Sequence, residues 1–252
     1  MNGCLRVASV ALVALVLATP APGQQFEGVV TIKSVNLTSD IIAEQTGEEE
    51  ITDRGREKLF AMTFDQLVAI TGSAHPNVMQ VKGGRMRTAA FDMPGLGSAY
   101  MLLDVTSGMM RTVAPARRGY FEASVRSAPD AGQDEENPDI QVVPLGRTQV
   151  INGMRCTGYR VTEGDQVSRV WTTDDPAAKQ LFTNQLRMAG DDDEQGQSAR
   201  AMLARYGAPI LTQTFDEEGN FTVELWAFER KPLPDSLFAV PAGFTKLEMP
   251  RD

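Results

Sequence analysis

Apolar positions recur along this chain with two different periods, and each change of period marks an element. Phe26 to Val35 alternates and is rich in β-branched residues (Val29, Val30, Thr31, Ile32), whose side chains pack well on a pleated surface, so it predicts a first strand. After a polar, acidic stretch, Phe60, Phe64, Leu67, Val68 and Thr71 recur at helical spacing, with Gly72 at the expected stop. This predicts one helix over residues 56–71. From Asn77 to Val125 the period shortens to that of strands, broken at Lys82-Gly83-Gly84, Pro94-Gly95, Ser107-Gly108 and Arg118-Gly119. Turns this short join only antiparallel neighbours, so the stretch reads as a meander in a large sheet or open barrel.

The later half continues in the same manner. Residues 127–139 are polar, acidic and Pro-bounded and read as a loop. Asn152-Gly153 is the strongest local signal, because the central residues of a tight hairpin need positive φ and this pair adopts it at little cost. It joins predicted strands 146–151 and 154–162, and Glu163-Gly164-Asp165 leads into a third strand, Gln166 to Thr173. Asp174 or Asp175 caps a helix that starts at Pro176, with Ala178, Leu181, Phe182, Leu186 and Ala189 on one face. A short helix is expected from Ser198 to Tyr206, then a hairpin of Ile210 to Phe215 and Phe221 to Glu229, and an apolar closing segment from Ser236 to Phe244.

Met1 to Gly23 has the pattern of a cleavable export signal: Arg6 is its only charge, and an apolar run from Val7 to Ala18 ends at Pro20, Pro22 and Gly23. Spanning a bilayer takes about 20 apolar residues, so removal after translocation fits better than anchoring. A buried core helix would show polar residues at helical spacing, and none occurs between Val10 and Ala18. Cleavage before Gln24 leaves the small residues Ala21 and Gly23 at the −3 and −1 positions. Lipid attachment needs a cysteine just after the apolar run, whereas Cys4 precedes it. The expectation is a soluble, extracytoplasmic protein of one β-rich domain, residues 24–252, without an integral membrane span.

Charge then narrows the partners. The net charge of −9 becomes −10 once Arg6 is removed, and the closest basic groups, Arg85/Arg87 and Arg117/Arg118, are short pairs. Nucleic acid is therefore not an expected partner, since a polyanion binder needs a clustered basic stripe. With Cys4 gone, Cys156 stands alone and forms no internal disulfide; its strand pattern makes it a buried small hydrophobe.

The search for catalytic chemistry returns no motif. His75, the single histidine, precedes Pro76 in an expected loop, and neither Gly-x-Ser-x-Gly nor Ser-x-x-Lys occurs. Gly95-Leu96-Gly97-Ser98-Ala99-Tyr100 begins like a dinucleotide loop, but Tyr100 replaces the third glycine and the flanks are strands, so it reads as a hairpin turn. One histidine and one remaining cysteine cannot complete a four-ligand zinc site. The carboxylate groups Glu48 to Glu50, Asp134 to Glu136 and Asp191 to Glu194 lack the spacing of a calcium loop and read as solvated runs. No cofactor or metal is expected. A carboxylate pair assembled from distant parts of the chain stays open as a hydrolase alternative.

Apolar surface is what remains. Trp171, Trp226 and Phe228 fall in predicted strands, Phe64 on the first helix, and Met101 among the methionines of the meander. Flexible thioethers and aromatics suit an adaptable apolar site, and equally a core. These five are the candidate ligand-binding residues.

Several segments together resemble a bacterial exported family, the domain of unknown function DUF4412, itself distantly similar to the lipoprotein carrier LolA. They are Phe26-Glu27-Gly28, Gly84-Arg85-Met86-Arg87, Ile151-Asn152-Gly153-Met154-Arg155-Cys156-Thr157-Gly158-Tyr159, Val170-Trp171 and Phe238-Ala239-Val240-Pro241-Ala242-Gly243-Phe244. The resemblance implies an α+β fold: a large curved antiparallel sheet, a half-open barrel like that of LolA, with covering helices on one face. It also implies a periplasmic protein that holds an acyl chain, a lipid or a lipidated protein without catalysis. A closed-core structural or protein-interaction module is the alternative, and the oligomeric state is left open.

Overall fold

The computed structural model describes residues 25–47, 51–124, 140–189 and 194–248. The expected signal, residues 1–23, and the expected loop, residues 127–139, lie outside the described residues, as do Glu48 to Glu50 and Asp191 to Asp193. Strand β1 (Glu27–Leu37) leads into helices α1 (Ser39–Thr46), α2 (Asp53–Phe60) and α3 (Phe64–Thr71). The meander follows as β2 (His75–Lys82), β3 (Arg85–Thr88), β4 (Phe91–Met93), β5 (Gly97–Asp104), β6 (Met109–Ala114) and β7 (Gly119–Ser124). Strands β8 (Ile140–Ile151), β9 (Met154–Glu163) and β10 (Gln166–Thr173) precede helices α4 (Pro176–Ala189) and α5 (Glu194–Tyr206). The hairpin β11 (Ala208–Phe215) and β12 (Phe221–Arg230) and the short β13 (Thr245–Lys246) close the chain.

All thirteen strands join one sheet in the order β13-β7-β6-β5-β3-β2-β1-β12-β11-β10-β9-β8, with β4 attached to β5. Every pairing is antiparallel except β13 on β7. Among the described residues the end strands β8 and β13 do not pair with each other, so the sheet stays open. The expected α+β architecture with a large antiparallel sheet is present.

The helices divide between both faces of that sheet, where the sequence reading places them on one. The reason lies in β1, whose apolar phase slips by one residue along its length. Val30, opposite Phe228 and Met79, and Ile32, opposite Trp226, point to one side; Val35, opposite Val223, and Leu37, opposite Phe221, point to the other. Helices α1 to α3 cover the second side, where Ile42, Leu59, Phe60 and Leu67 pack on Val35, Leu37, Phe215, Phe221 and Val223. Helix α4 covers the first, setting Ala177 and Leu181 against Val30, Val81, Met86 and Trp226. Each fully buried large side chain contributes about 1.5–3 kcal/mol, so both clusters stabilise the sheet.

The helix expected over 56–71 is two helices, because a capping box interrupts it. Gln66 N–H donates to the Thr63 hydroxyl (3.3 Å), and the Gln66 side-chain oxygen accepts from Thr63 N–H (2.8 Å). The preceding polar stretch also contains a helix, α1, which ends at Gly47 in the left-handed region (φ 75°). Helix α4 is as expected: Asp175 accepts from the N–H groups of Ala177 (2.9 Å) and Ala178 (3.1 Å), with Pro176 as first residue. Helix α5 starts before Ser198, β8 starts before residue 146, and His75 opens β2 instead of lying in a loop. Asn152 and Gly153 form the β8–β9 turn with φ of 48° and 79°.

The C-terminal segment packs Val240 and Phe244 on Tyr100, Leu102 and Val113. It is tied down at both ends. Asp235 bridges Lys82 (3.4 Å) and Arg85 (2.6 Å), which hold its carboxyl below the usual range. Glu122 of β7 is held low in the same way by Lys246 and Arg111.

Candidate functional site

Helix α4 is fastened to the sheet by two amide side chains. Gln180 accepts from Phe26 N–H (2.9 Å), and the buried Asn184 donates to the Gly83 carbonyl (3.3 Å). Helix α5 is fastened to the sheet at its end. There the Thr172 hydroxyl donates to the Tyr206 carbonyl, and the chain enters β11 through Gly207 (φ 93°). A Cβ at Gly207 would lie 2.5 Å from the Thr173 carbonyl oxygen, so only glycine lets the helix end approach β10 this closely.

Between these anchors α5 stands off the sheet. The gap is a cavity of about 300 Å³ whose walls include Val142, Val161, Val170, Phe182, Leu186 and Met202. Tyr159 and Tyr206 meet edge to face on its rim, with centroids 5.1 Å apart. Both tyrosines and Thr172 also line an adjoining cleft of about 580 Å³ that carries Arg155, Arg205, Asp174 and Asp175. An apolar chamber thus opens beside a polar cleft of mixed charge, the arrangement that small-molecule sites use to bury one end of a ligand and orient the other.

The candidate residues from the sequence fall in three places. Trp226 and Phe228 lie under α4 as core: the Trp226 ring packs on Phe182 (centroids 4.6 Å apart), and Phe228 meets Phe26 edge to face (5.8 Å). Trp171 and Phe64 come together on the opposite face, in a cavity of about 420 Å³ that also touches Phe60, Met62, Arg147 and Arg169. Met101 sits on β5, lines neither cavity, and donates its N–H to the Thr88 hydroxyl (2.9 Å). Of the residues around the α5 cavity, Phe182 and Leu186 stood out in the sequence on the apolar face of α4, and Tyr159 and Val170 within the segments that carry the family resemblance. Val142, Val161 and Met202 reach it through β8–β9 pairing and the helix turn, which no local pattern reports.

Cys156 is fully buried in β9, and burial pushes its thiol up to about 11, so it is a packing residue with no thiolate at neutral pH. His75 is exposed at the start of β2. Among the described residues no group of three His, Cys, Asp or Glu side chains converges as a metal site would require, and no helix is long and apolar enough to cross a membrane.

The model for DUF4412, a domain of unknown function, matches residues 63–244, from the cap of α3 to the segment before β13. The chain belongs to the DUF4412 family. Both cavities are built largely from residues inside the DUF4412 match, although Glu57, Phe60, Ala61 and Met62 of the second precede it. None of the curated proteins matches the chain. Among solved structures it is similar to PNGF-II in a C2 crystal form, at 11% identity and a TM-score of 0.31, covering 88% of this chain and 31% of that one. It is also similar to MucB in complex with MucA(peri), at 10% identity and a TM-score of 0.28, covering 84% of this chain and 54% of that one. The DUF4412 chain therefore spans about a third of PNGF-II and about half of MucB, and both are remote likenesses.

Proposed function

We propose that the exported chain from Gln24 onward works as one domain that binds an apolar ligand, such as the acyl chain of a lipid or lipidated protein, without catalysis. The observation that carries this reading is the apolar cavity under α5, opening at Tyr159 and Tyr206 into a polar cleft. A chain of about ten methylenes gains on the order of 8 kcal/mol on burial, before the cost of ordering it. The cleft carries Arg155 and Arg205 against Asp174 and Asp175, so the exposed end of a ligand there is best neutral or zwitterionic. Trp171, Trp226, Phe228, Phe64 and Met101 drop out of this particular pocket, and Phe182, which packs on Trp226, becomes its link to the core.

The test uses the neutral apolar fluorophore N-phenyl-1-naphthylamine, displaced by monodecanoylglycerol below its critical micelle concentration. Saturable emission is expected, lost by at least tenfold in affinity in Ala199→Phe, which fills the cavity from α5. Equal binding by both proteins, or none by either, would contradict the reading.

A second reading, a protein-interaction module, has its own support at the free edge of the sheet. Strand β8 runs for 12 residues and carries the two most exposed large hydrophobics of the described chain, Val143 (55% exposed) and Val150 (72%). Pro144 and the register shift between Pro144 and Thr148 break that edge, which favours protection against strand pairing over recruitment of a partner strand.

A further inference from the structure

The face covered by α1 to α3 holds a second, chemically different cavity, and its charge is out of keeping with the rest of the molecule. Trp171 forms part of its wall, with Gly158 beside it: a Cβ there would come within 2.8 Å of the indole, so glycine is what lets the ring lie flat on β9. Phe64 and Met62 at the start of α3 provide further apolar wall. The Arg147 guanidinium lies over Trp171, 5.5 Å from the ring.

Three arginines point to this side of the sheet. Arg169 is 8% exposed, stacks on Phe60 (4.4 Å) and is paired with Glu57 of α2. Arg160 stands directly across from Arg169 in the β9–β10 register, on the same face. Arg147 reaches the face through the irregular stretch of β8. Glu57 is the one carboxylate that pairs with any of them among the described residues. Like charges directly opposite in a sheet are destabilising, and here they occur in a chain whose net charge is −9. The Gln213 side chain does not relieve this excess: it is 3% exposed and donates to the Phe60 carbonyl at the end of α2 (3.3 Å).

We infer that this cavity binds an anionic group, a phosphate or carboxylate, carried on a short apolar stem. Arg147 on the cavity wall receives the anion, Arg160 at the exposed position on the same face adds its charge from outside the wall, and Trp171, Phe64 and Met62 receive the stem. Arg169 is already neutralised by Glu57 and serves to hold α2, and so the cavity wall, in place. The guanidinium fork suits oxyanions, since it donates two parallel hydrogen bonds to them. This site lies on the opposite face from the α5 cavity and is independent of the reading given to that one.

The test uses Trp226→Phe, which leaves Trp171 as the only tryptophan of the chain, combined with Ala199→Phe to fill the α5 cavity. Octyl phosphate should change Trp171 emission saturably and bind at least tenfold more tightly than octanol. Inorganic phosphate should compete with it, and raising the salt concentration should weaken it. In the further variants Arg147→Ala and Arg160→Ala, both at exposed positions, the preference over octanol should fall below threefold. Equal affinity for octyl phosphate and octanol, or an undiminished preference in both arginine variants, would overturn the inference.

Discussion

The two helical covers of this sheet do the same job by different means. On the side of α1 to α3, aromatic rings close the interior: Phe60 meets Phe215 and Phe221 edge to face at 5.2 and 5.7 Å, and Phe215 stacks on Phe221 at 4.5 Å. Buried polar side chains then lock α2 from below, through Arg169 to Glu57 and Gln213 to the Phe60 carbonyl. On the side of α4 and α5, side-chain amides lock α4 and the buried Thr172 hydroxyl locks the end of α5, whose body spans an apolar gap. Apolar burial alone does not distinguish a core from a site. What distinguishes them here is how closely the cover packs: α2 sets Phe60 ring on ring, whereas the body of α5 stands off the sheet.

If that contrast is right, deletions should cost most where the aromatic rings pack under α2. Phe60→Ala should lower stability by about 3–5 kcal/mol, the range for removing a buried aromatic ring. Leu186→Ala, at a half-buried position, should cost no more than about 1–2 kcal/mol, because it removes fewer contacts than loss of the buried Phe60 ring. Chemical denaturation of the two variants checks this, and equal losses would erase the distinction.

The next effect concerns the anchor of α5. Gly207→Ala places a Cβ against the Thr173 carbonyl at positive φ and should cost about 2 kcal/mol. It should also weaken binding of neutral apolar probes under α5 while leaving the Trp171 side unaffected, as read by the same fluorescence titrations. A stability loss with both sites intact would mean that α5 does not depend on this close approach.

A smaller effect follows from Cys156, which shares its sheet face with Trp171, two residues from the Gly158 that pairs with it. The unfolded thiol ionises near its ordinary value of 9.0, whereas the folded one stays protonated up to about 11. Between those values the unfolded state binds fewer protons, so stability falls as pH rises, by about 1.4 kcal/mol per pH unit, and is unaffected below the lower value. Comparing the wild-type melting curve with that of Cys156→Ala across this window isolates the contribution. No difference in slope would show that water reaches the thiol in the folded protein.

Much of this architecture was legible along the chain. The meander turns, the Asn152-Gly153 hairpin and the Asp175-Pro176 helix start are local events, set by backbone preferences at one or two residues. The division of the helices between two faces was legible too, in the slip between Ile32 and Val35, but such a slip has meaning only once both neighbours of β1 are known. The Thr63 to Gln66 capping box was present in the sequence and was masked by the apolar spacing that continues through it. The candidate site was less accessible. Trp171 and Phe64 belong to one cavity because β10 and α3 meet across the sheet, and Val142, Val161 and Met202 share another through pairings between separate segments. Large aromatic residues drew attention to Trp226 and Phe228, yet size favours the core, and that is where both lie.

If α5 is a cover that yields to an apolar ligand and α2 is not, amide hydrogen exchange should separate the two helices. With monodecanoylglycerol bound, α5 and the facing segments of β9 and β10 should gain protection, and α2 should exchange at an unchanged rate. Protection gained at α2, or no change at α5 under conditions where the ligand is bound, would contradict the account.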